Sequence, residues 1–154
     1  MVGEDYVVNV QVEGDYRVEA EGIEAAARQA LSIAGAEAPC ALTVTITSAE
    51  YVQNLNWEYA GIDKATDVLS FAAEDEPYEV EPGEPPYLGD ILIAYEVAAA
   101  QAADVGHSLL AEMQTLAIHG TLHLLGFDHQ DADQQAEMWA YESAAKDALR
   151  SAGT

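Results

Sequence analysis

Short stretches of this chain alternate apolar and polar residues with a period of two. The clearest is 42–47, LTVTIT, in which leucine, valine and isoleucine alternate with threonine. Such alternation is typical of a strand with one apolar face. Shorter runs rich in apolar and β-branched residues occupy 6–12, 68–72 and 88–95. We therefore predict four strands.

Between the strands the apolar residues recur at helical spacing. The segment 18–34 is rich in Ala, Glu, Ile and Leu, and Gly35 is suited to end that helix. Thr47 and Glu50 stand three residues apart, as a capping box requires, and they predict a short helix that Gly61 closes.

From Glu96 onward the pattern is helical, with breaks near Gly106 and Gly126. The order of elements predicts an α/β (α+β) fold, in which a small mixed sheet of about four strands packs with about five helices. The length of 154 residues suits one domain, 1–154. An acidic, proline-rich loop is predicted over 73–87, with six acids and four of the five prolines; a lid over a substrate is one role for it.

The charge of the chain is strongly negative. Its formal net charge is −23, with 28 acidic residues and only five Lys and Arg. Such a chain repels polyanions, so composition alone argues against binding nucleic acid. A solvated acidic surface, adapted to high salt or engineered, is the simplest interpretation. The basic residues are Arg17, Arg28, Lys64, Lys146 and Arg150.

The sequence predicts a cytoplasmic protein. No apolar run reaches the ~18 residues that span a bilayer, and the first residues are acidic where a secretory signal is basic. Cys40 is the only cysteine. It can form no intramolecular disulfide, and a zinc site built from several thiolates is excluded.

Three of the four histidines lie within the eleven residues HGTLHLLGFDH. His119 and His123 are four apart on a predicted apolar helix, so they project from one face and can reach the same metal ion. Gly126 ends the helix and allows a reversal that returns His129 as a third ligand. Three protein ligands leave a fourth position open, as in catalytic zinc sites. We predict one zinc ion, exchangeable for another divalent metal.

Two further residues are candidate proton carriers. Asp128 lies next to His129; it orients a ligand, assists proton transfer or caps the turn. His107 stands before a helix that starts near Ser108, where it is a capping or surface residue or a proton carrier. The histidine spacing equals that of the extended zinc-protease motif, but Gly120 replaces the glutamate that activates water. Peptide hydrolysis by that route is therefore unsupported.

The stretch from His119 to His129 resembles the signature H-G-x-L-H-L-x-G-x-D-H of the YbeY family. Upstream, LNWEYAGIDKATDVLSF over 55–71 is similar to that family's block L-N-x-x-Y-R-x-x-D-x-x-T-D-V-L-S-F, and Leu88-Gly89-Asp90-Ile91 is similar to its next strand. Met138 and Glu142 also fall where the family tends to have them.

The resemblance implies a small mixed sheet with helices, and a zinc-dependent single-strand endoribonuclease that acts in rRNA maturation and ribosome quality control. It also implies RNA as a partner. One departure affects this expectation, because Ala60 stands where the family has an arginine. Arginine suits a phosphate oxygen by its charge and its forked donors, and alanine lacks both.

Three functions remain open at this level. The first is zinc-dependent hydrolysis of RNA. The second is a catalytically weakened or inactive YbeY-like zinc protein that acts through ribosomal proteins, whose basic surfaces suit an acidic partner. The third is hydrolysis of another substrate, such as a peptide or a small ester.

Overall fold

The computed structural model describes residues 6–73, 85–127 and 131–152, and over these ranges the predicted mixed fold is confirmed. The four strands are β1 (Tyr6–Val12), β2 (Cys40–Thr47), β3 (Val68–Ala72) and β4 (Tyr87–Ala94). The five helices are α1 (Ala20–Ile33), α2 (Ala49–Ala60), α3 (Tyr95–Val105), α4 (Leu109–Leu124) and α5 (Ala132–Ala152).

The four strands form one mixed sheet in the order β1-β2-β4-β3. Strands β1, β2 and β4 are parallel, and β3 runs antiparallel to β4 at one edge. In that last pair Ser70 lies opposite Ile91. Every residue of β2 is buried, threonines included, because helices cover both faces of the sheet at its centre.

Helix α4 is the central helix of the larger core, which lies on one face of the sheet together with α1 and α5. Its contact with α1 is close: a Cβ atom at Gly22 would lie 2.8 Å from Leu110 Cδ1. A smaller core of Val52, Leu92 and Ala94 lies under α2 on the opposite face. Burial of these apolar residues is the main force that holds the layers together.

The predicted start of α2 was wrong by one residue. Ser48 is the N-cap, and its hydroxyl accepts a hydrogen bond from the Tyr51 amide at 3.1 Å. Thr47 is instead the last residue of β2 and is buried. Gly61 closes α2 as predicted, with φ of +69°, a conformation that glycine adopts without steric cost.

Some predictions fall on residues that lie outside the described ranges. These are 74–84, which form most of the predicted loop 73–87, and also Asp128 and His129. Within the described ranges, no helix is both long enough and apolar enough to cross a bilayer.

Candidate functional site

The two histidines of α4 lie together near its C-terminal end. Their Nε2 atoms are 3.0 Å apart and their ring centroids are 4.5 Å apart. This confirms the predicted arrangement of His119 and His123 on one face, one turn apart. Both rings are partly exposed, on a helix that is otherwise largely buried.

The carboxylate of Glu142 contacts Nδ1 of His119, the ring nitrogen that does not face His123. Glu142 of α5 places Oε1 2.8 Å from Nδ1 of His119, and the two residues are 23 apart in sequence. Only 14% of the glutamate side chain and 27% of the histidine side chain are exposed. The site therefore joins α4 to α5, with the carboxylate on one side of the His119 ring and His123 on the other.

Gly120 faces the sheet. A Cβ atom at this position would lie 2.7 Å from Cγ2 of Ile91, a side chain with no exposed surface. Beside Ile91, the Ser70 hydroxyl donates to the Gly120 carbonyl oxygen at 3.3 Å. The residue that sequence comparison marks as a missing catalytic base is thus a packing position. It lets α4 lie close to β3 and β4, and a longer side chain there would collide with the sheet.

The close approach of α4 to β3 forms a groove of about 340 Å³ that contains both histidines. Its volume is in the range of small-molecule and cofactor sites. Strand β3 supplies one wall and α4 the other. The lining residues are Val68, Leu69, Ser70, Ala72, His119, His123 and Leu124.

The chain turns sharply after α4, as the glycine predicts. Gly126 has φ of +100°, and its amide donates to the His123 carbonyl at 3.0 Å. The Phe127 amide donates to the Leu122 carbonyl at 3.1 Å. This pair of bonds is the Schellman motif, which satisfies the last carbonyls of a helix. The Phe127 ring then packs on Tyr141 of α5, with centroids 5.1 Å apart, so the reversal is anchored next to Glu142.

The remaining predicted site residues at this end, Asp128 and His129, lie outside the described ranges. Among residues 6–73, 85–127 and 131–152 no group of three His, Cys, Asp or Glu side chains could hold a metal ion. The described residues contribute two imidazoles, so a complete three-histidine site would need His129. Cys40 is no ligand here: it is buried in β2, and burial raises the pKa of its thiol, which disfavours the thiolate that binds metal.

His107 lies at the opposite end of α4. Ser108 is the N-cap of this helix and accepts from the Ala111 amide at 3.0 Å, so the start near Ser108 is confirmed. At 1.5 Å per residue, twelve residues separate His107 from His119 by roughly 18 Å. His107 Nε2 lies 2.7 Å from Oε1 of Glu112. It lines a different cavity, of about 420 Å³, between α4 and α5. The structure does not bring His107 together with the histidine pair.

Sequence reasoning gave no role to Glu142, although it noted the position. The helical period of α5 offers one signal, because Glu142 follows the fully buried Met138 by one turn and so lies on the inner face. The contact with His119 depends on how two helices pack, which a local pattern does not specify.

Fold and site together define a small α/β protein in which a histidine pair lies in a groove beside an edge strand. A comparison with known families matches residues 9–150 to the endoribonuclease YbeY family. The chain is 42% identical over 149 residues to "Endoribonuclease YbeY" of Roseiflexus castenholzii, covering 94% of each chain. It is 39% identical over 133 residues to the protein of that name from Chloroflexus aurantiacus, covering 85% of this chain and 86% of that one.

This chain belongs to the endoribonuclease YbeY family, and it is an enzyme of the nuclease class. A solved structure, TM1509 from Thermotoga maritima, superposes with a TM-score of 0.59 at 22% identity, covering 94% of this chain and 93% of that chain. That likeness shows the fold alone.

Proposed function

We propose that this chain is a zinc-dependent single-strand endoribonuclease that acts in rRNA maturation and ribosome quality control in the cytoplasm. Membership of the endoribonuclease YbeY family supports RNA cleavage. The observation that carries the metal dependence is the histidine pair of α4, whose Nε2 atoms face each other at 3.0 Å in the groove beside β3.

The two described imidazoles have the spacing of two ligands of one zinc ion. Two nitrogens bound to one tetrahedral zinc at 2.0–2.1 Å lie roughly 3.3 Å apart, close to the separation of the two Nε2 atoms. Neutral imidazole nitrogen is a preferred zinc ligand. We assign His119 and His123 to the metal, with His129 as the third ligand because the helix reversal begins at Gly126. Histidine sites accept several divalent ions, so another metal can replace zinc.

A bound zinc ion would act as a Lewis acid on a phosphoryl oxygen and make bound water more acidic. The protein's own residues have three tasks. His119 and His123 hold the reacting centre at the groove, and the wall of β3 restricts the approach of the substrate. In this proposal the Asp128 carboxylate accepts the proton from the attacking group, because it is adjacent in sequence to His129. His107, the other predicted proton carrier, has no step in this proposal, because it lies at the other end of α4 and lines a different cavity.

RNA cleavage by this chain has an electrostatic cost. With a net charge of −23, the protein repels a polyanion most strongly at low ionic strength, where screening is weakest. Ala60 adds to the cost, because it is exposed at the C-terminal end of α2 and has no positive charge to offer a phosphate. We therefore expect the rate of RNA cleavage to rise from low to moderate salt, because salt screens the repulsion between protein and RNA. At higher salt the rate should fall again, since cations then compete for the RNA phosphates.

The same two observations favour a second candidate function. In it, the chain is a catalytically weakened or inactive YbeY-like zinc protein that acts through ribosomal proteins. A basic ribosomal protein would bind the acidic surface, with an affinity that falls as salt rises. Hydrolysis of peptides by the zinc-protease route has no comparable support, since position 120 faces Ile91 rather than the groove.

The experiment is cleavage of a labelled single-stranded RNA by zinc-loaded protein across a salt series, beside His123→Ala. Zinc-dependent cleavage that His123→Ala lacks is the expected result. Absence of cleavage at every salt concentration, with one zinc bound per chain, would reject the endoribonuclease and favour the ribosomal alternative. Equal cleavage by wild type and His123→Ala would indicate a contaminating nuclease or a different site, and would also reject the proposal.

A further inference from the structure

The Glu142 carboxylate, which contacts Nδ1 of His119, belongs to helix α5 and takes no part in the function proposed above. Glu142 lies one turn beyond Met138 on the inner face of α5, where only 14% of its side chain is exposed. Removing a carboxylate from water is costly unless hydrogen bonds compensate. In a chain with so few Lys and Arg, its described partner is a neutral or protonatable ring, the Nδ1 side of His119 at 2.8 Å.

The hydrogen-bond chemistry of this contact fixes the tautomer of the ring. An ionised carboxylate only accepts hydrogen bonds, so Nδ1 of His119 must donate. In a neutral ring with its proton on Nδ1, the lone pair is then on Nε2. That atom faces Nε2 of His123 at 3.0 Å in the groove. The contact therefore directs the electron pair of His119 toward the proposed zinc position.

We propose that Glu142 is a positioning residue, which holds His119 in the Nδ1–H tautomer and in the orientation that binds the metal. This inference rests on the zinc site of the proposed function. A carboxylate that accepts a hydrogen bond from Nδ1 also makes the imidazole more basic, and so a stronger ligand for the metal through Nε2. The packing of Phe127 on Tyr141, next in sequence to Glu142, keeps α5 in register with the turn that follows α4.

A purely structural brace between α4 and α5 is the competing explanation. It predicts that loss of Glu142 lowers the stability of the fold but leaves the tautomer of His119 and the zinc affinity alone. A positioning role makes the opposite prediction: the zinc affinity and the tautomer of His119 change even in a variant that keeps its fold.

The first measurement is the dissociation constant for zinc, obtained by competition with a chelator, for wild type, Glu142→Ala and Glu142→Gln. Removal of a hydrogen-bonding partner of a metal-binding histidine typically weakens affinity 10- to 100-fold. We expect that loss for Glu142→Ala and a smaller loss for Glu142→Gln, whose amide oxygen still accepts a hydrogen bond. Glu112→Ala is the matched control, since it removes the carboxylate from the other histidine–glutamate pair of α4 and should leave zinc affinity within about threefold.

The second measurement needs no metal. Imidazole nitrogen shifts of zinc-free protein, recorded by NMR at about pH 8.5 where histidine is neutral, report the tautomer directly. We expect the Nδ1–H form for His119 in wild type and a population of the Nε2–H form in Glu142→Ala. Thermal unfolding of each variant identifies any loss of fold, and Glu142→Gln provides the test if Glu142→Ala does not fold.

The outcomes separate this inference from the proposal on which it rests. If wild type binds no stoichiometric zinc, the proposed function fails first. If wild type binds zinc, but Glu142→Ala and Glu142→Gln bind it equally well with an unchanged His119 tautomer, the positioning role is overturned and the zinc site stands.

Discussion

A histidine–glutamate pair lies at each end of helix α4, and the two pairs differ in their surroundings. At the N-terminal end His107 and Glu112 are 2.7 Å apart, five residues apart in sequence, and 42% of the histidine side chain is exposed. At the other end His119 and Glu142 are 2.8 Å apart but join two helices. Among the residues that the structure describes, only the second pair has another imidazole, that of His123, within hydrogen-bond distance.

Under the proposed function only the C-terminal pair takes part in a metal site, so the two pairs should differ in what else surrounds the histidine. In the N-terminal pair the glutamate is the buried member, with 11% of its side chain exposed. The Gln101 side-chain amide nitrogen, in the orientation that satisfies its hydrogen bonds, donates to Glu112 at 2.9 Å and to Asp67 at 3.2 Å. This pair belongs to a network that links α3, α4 and the segment before β3. The second imidazole, 3.0 Å from the first, is the feature on which we base the proposed metal site at the C-terminal pair.

The largest expected effect is on metal binding by His123→Ala. Loss of one of two facing imidazoles should abolish stoichiometric zinc binding, because the remaining donors cannot complete the site. Zinc content per chain after exhaustive dialysis measures this, with His107→Ala as the control that keeps its metal. One tightly bound zinc per chain in His123→Ala would show that His123 is not a ligand. The proposed difference in metal binding between the two ends of α4 would then fail as well.

Ala60→Arg adds a positive charge at the C-terminal end of α2, at the position where the family motif has an arginine. If stabilisation of a phosphate is what is missing, cleavage of single-stranded RNA should rise by a factor on the order of 10²–10³. Ala103→Arg on α3 adds the same charge outside the two motif blocks and separates a local effect from a change in net charge. An equal gain in both variants would assign the effect to net charge, and no gain would dismiss position 60.

Gly120→Ala tests the close contact that positions the C-terminal end of α4. The added methyl group would collide with the buried Ile91, and overpacking of this kind costs about 1–3 kcal/mol. The free energy of unfolding in denaturant measures it. The cost should shrink in an Ile91→Ala background, where space is available; an identical cost in both backgrounds would locate the strain elsewhere.

Glu112→Ala tests the structural role of the N-terminal pair. It removes a buried acceptor from His107 and Gln101, so we expect the free energy of unfolding to fall by about 1–3 kcal/mol. Zinc affinity should stay unchanged, in contrast to Glu142→Ala. A drop in zinc affinity that matches the loss for Glu142→Ala would break the comparison, since both ends of α4 would then influence the metal equally.

The smallest expected effect is that of His107→Gln on RNA cleavage. Because the ring lies roughly 18 Å along the helix from His119, we expect kcat to change by no more than about threefold. Loss of a general acid or base costs typically 10²–10⁴ in rate. A loss of that size, with zinc still bound, would establish His107 as a proton carrier and show that the reaction extends along α4.

The sequence predicted well what depends on local period. Alternation in 42–47 and helical spacing around His119 and His123 each fix which side chains share a face, and the structure confirms both. The turn at Gly126 was equally predictable, because its φ of +100° is one that glycine adopts readily.

What the sequence did not predict depends on packing between distant segments. Glu142 meets His119 only because α5 returns across α4, 23 residues later in the chain. Gly120 was interpreted by comparison with a protease motif as a missing base, whereas the structure shows a contact with Ile91 of β4. The cap of α2 is Ser48 rather than Thr47, because Thr47 is the last residue of β2 and cannot also begin the helix.

The most direct test of the central claim, that zinc binds at the C-terminal end of α4, is a titration of the protein with zinc followed by the imidazole resonances of all four histidines. We predict that His119, His123 and His129 change together and that the change is complete at one equivalent, while His107 stays unmoved. A change confined to His107, or weak shifts that continue beyond several equivalents as expected for a diffuse acidic surface, would contradict it.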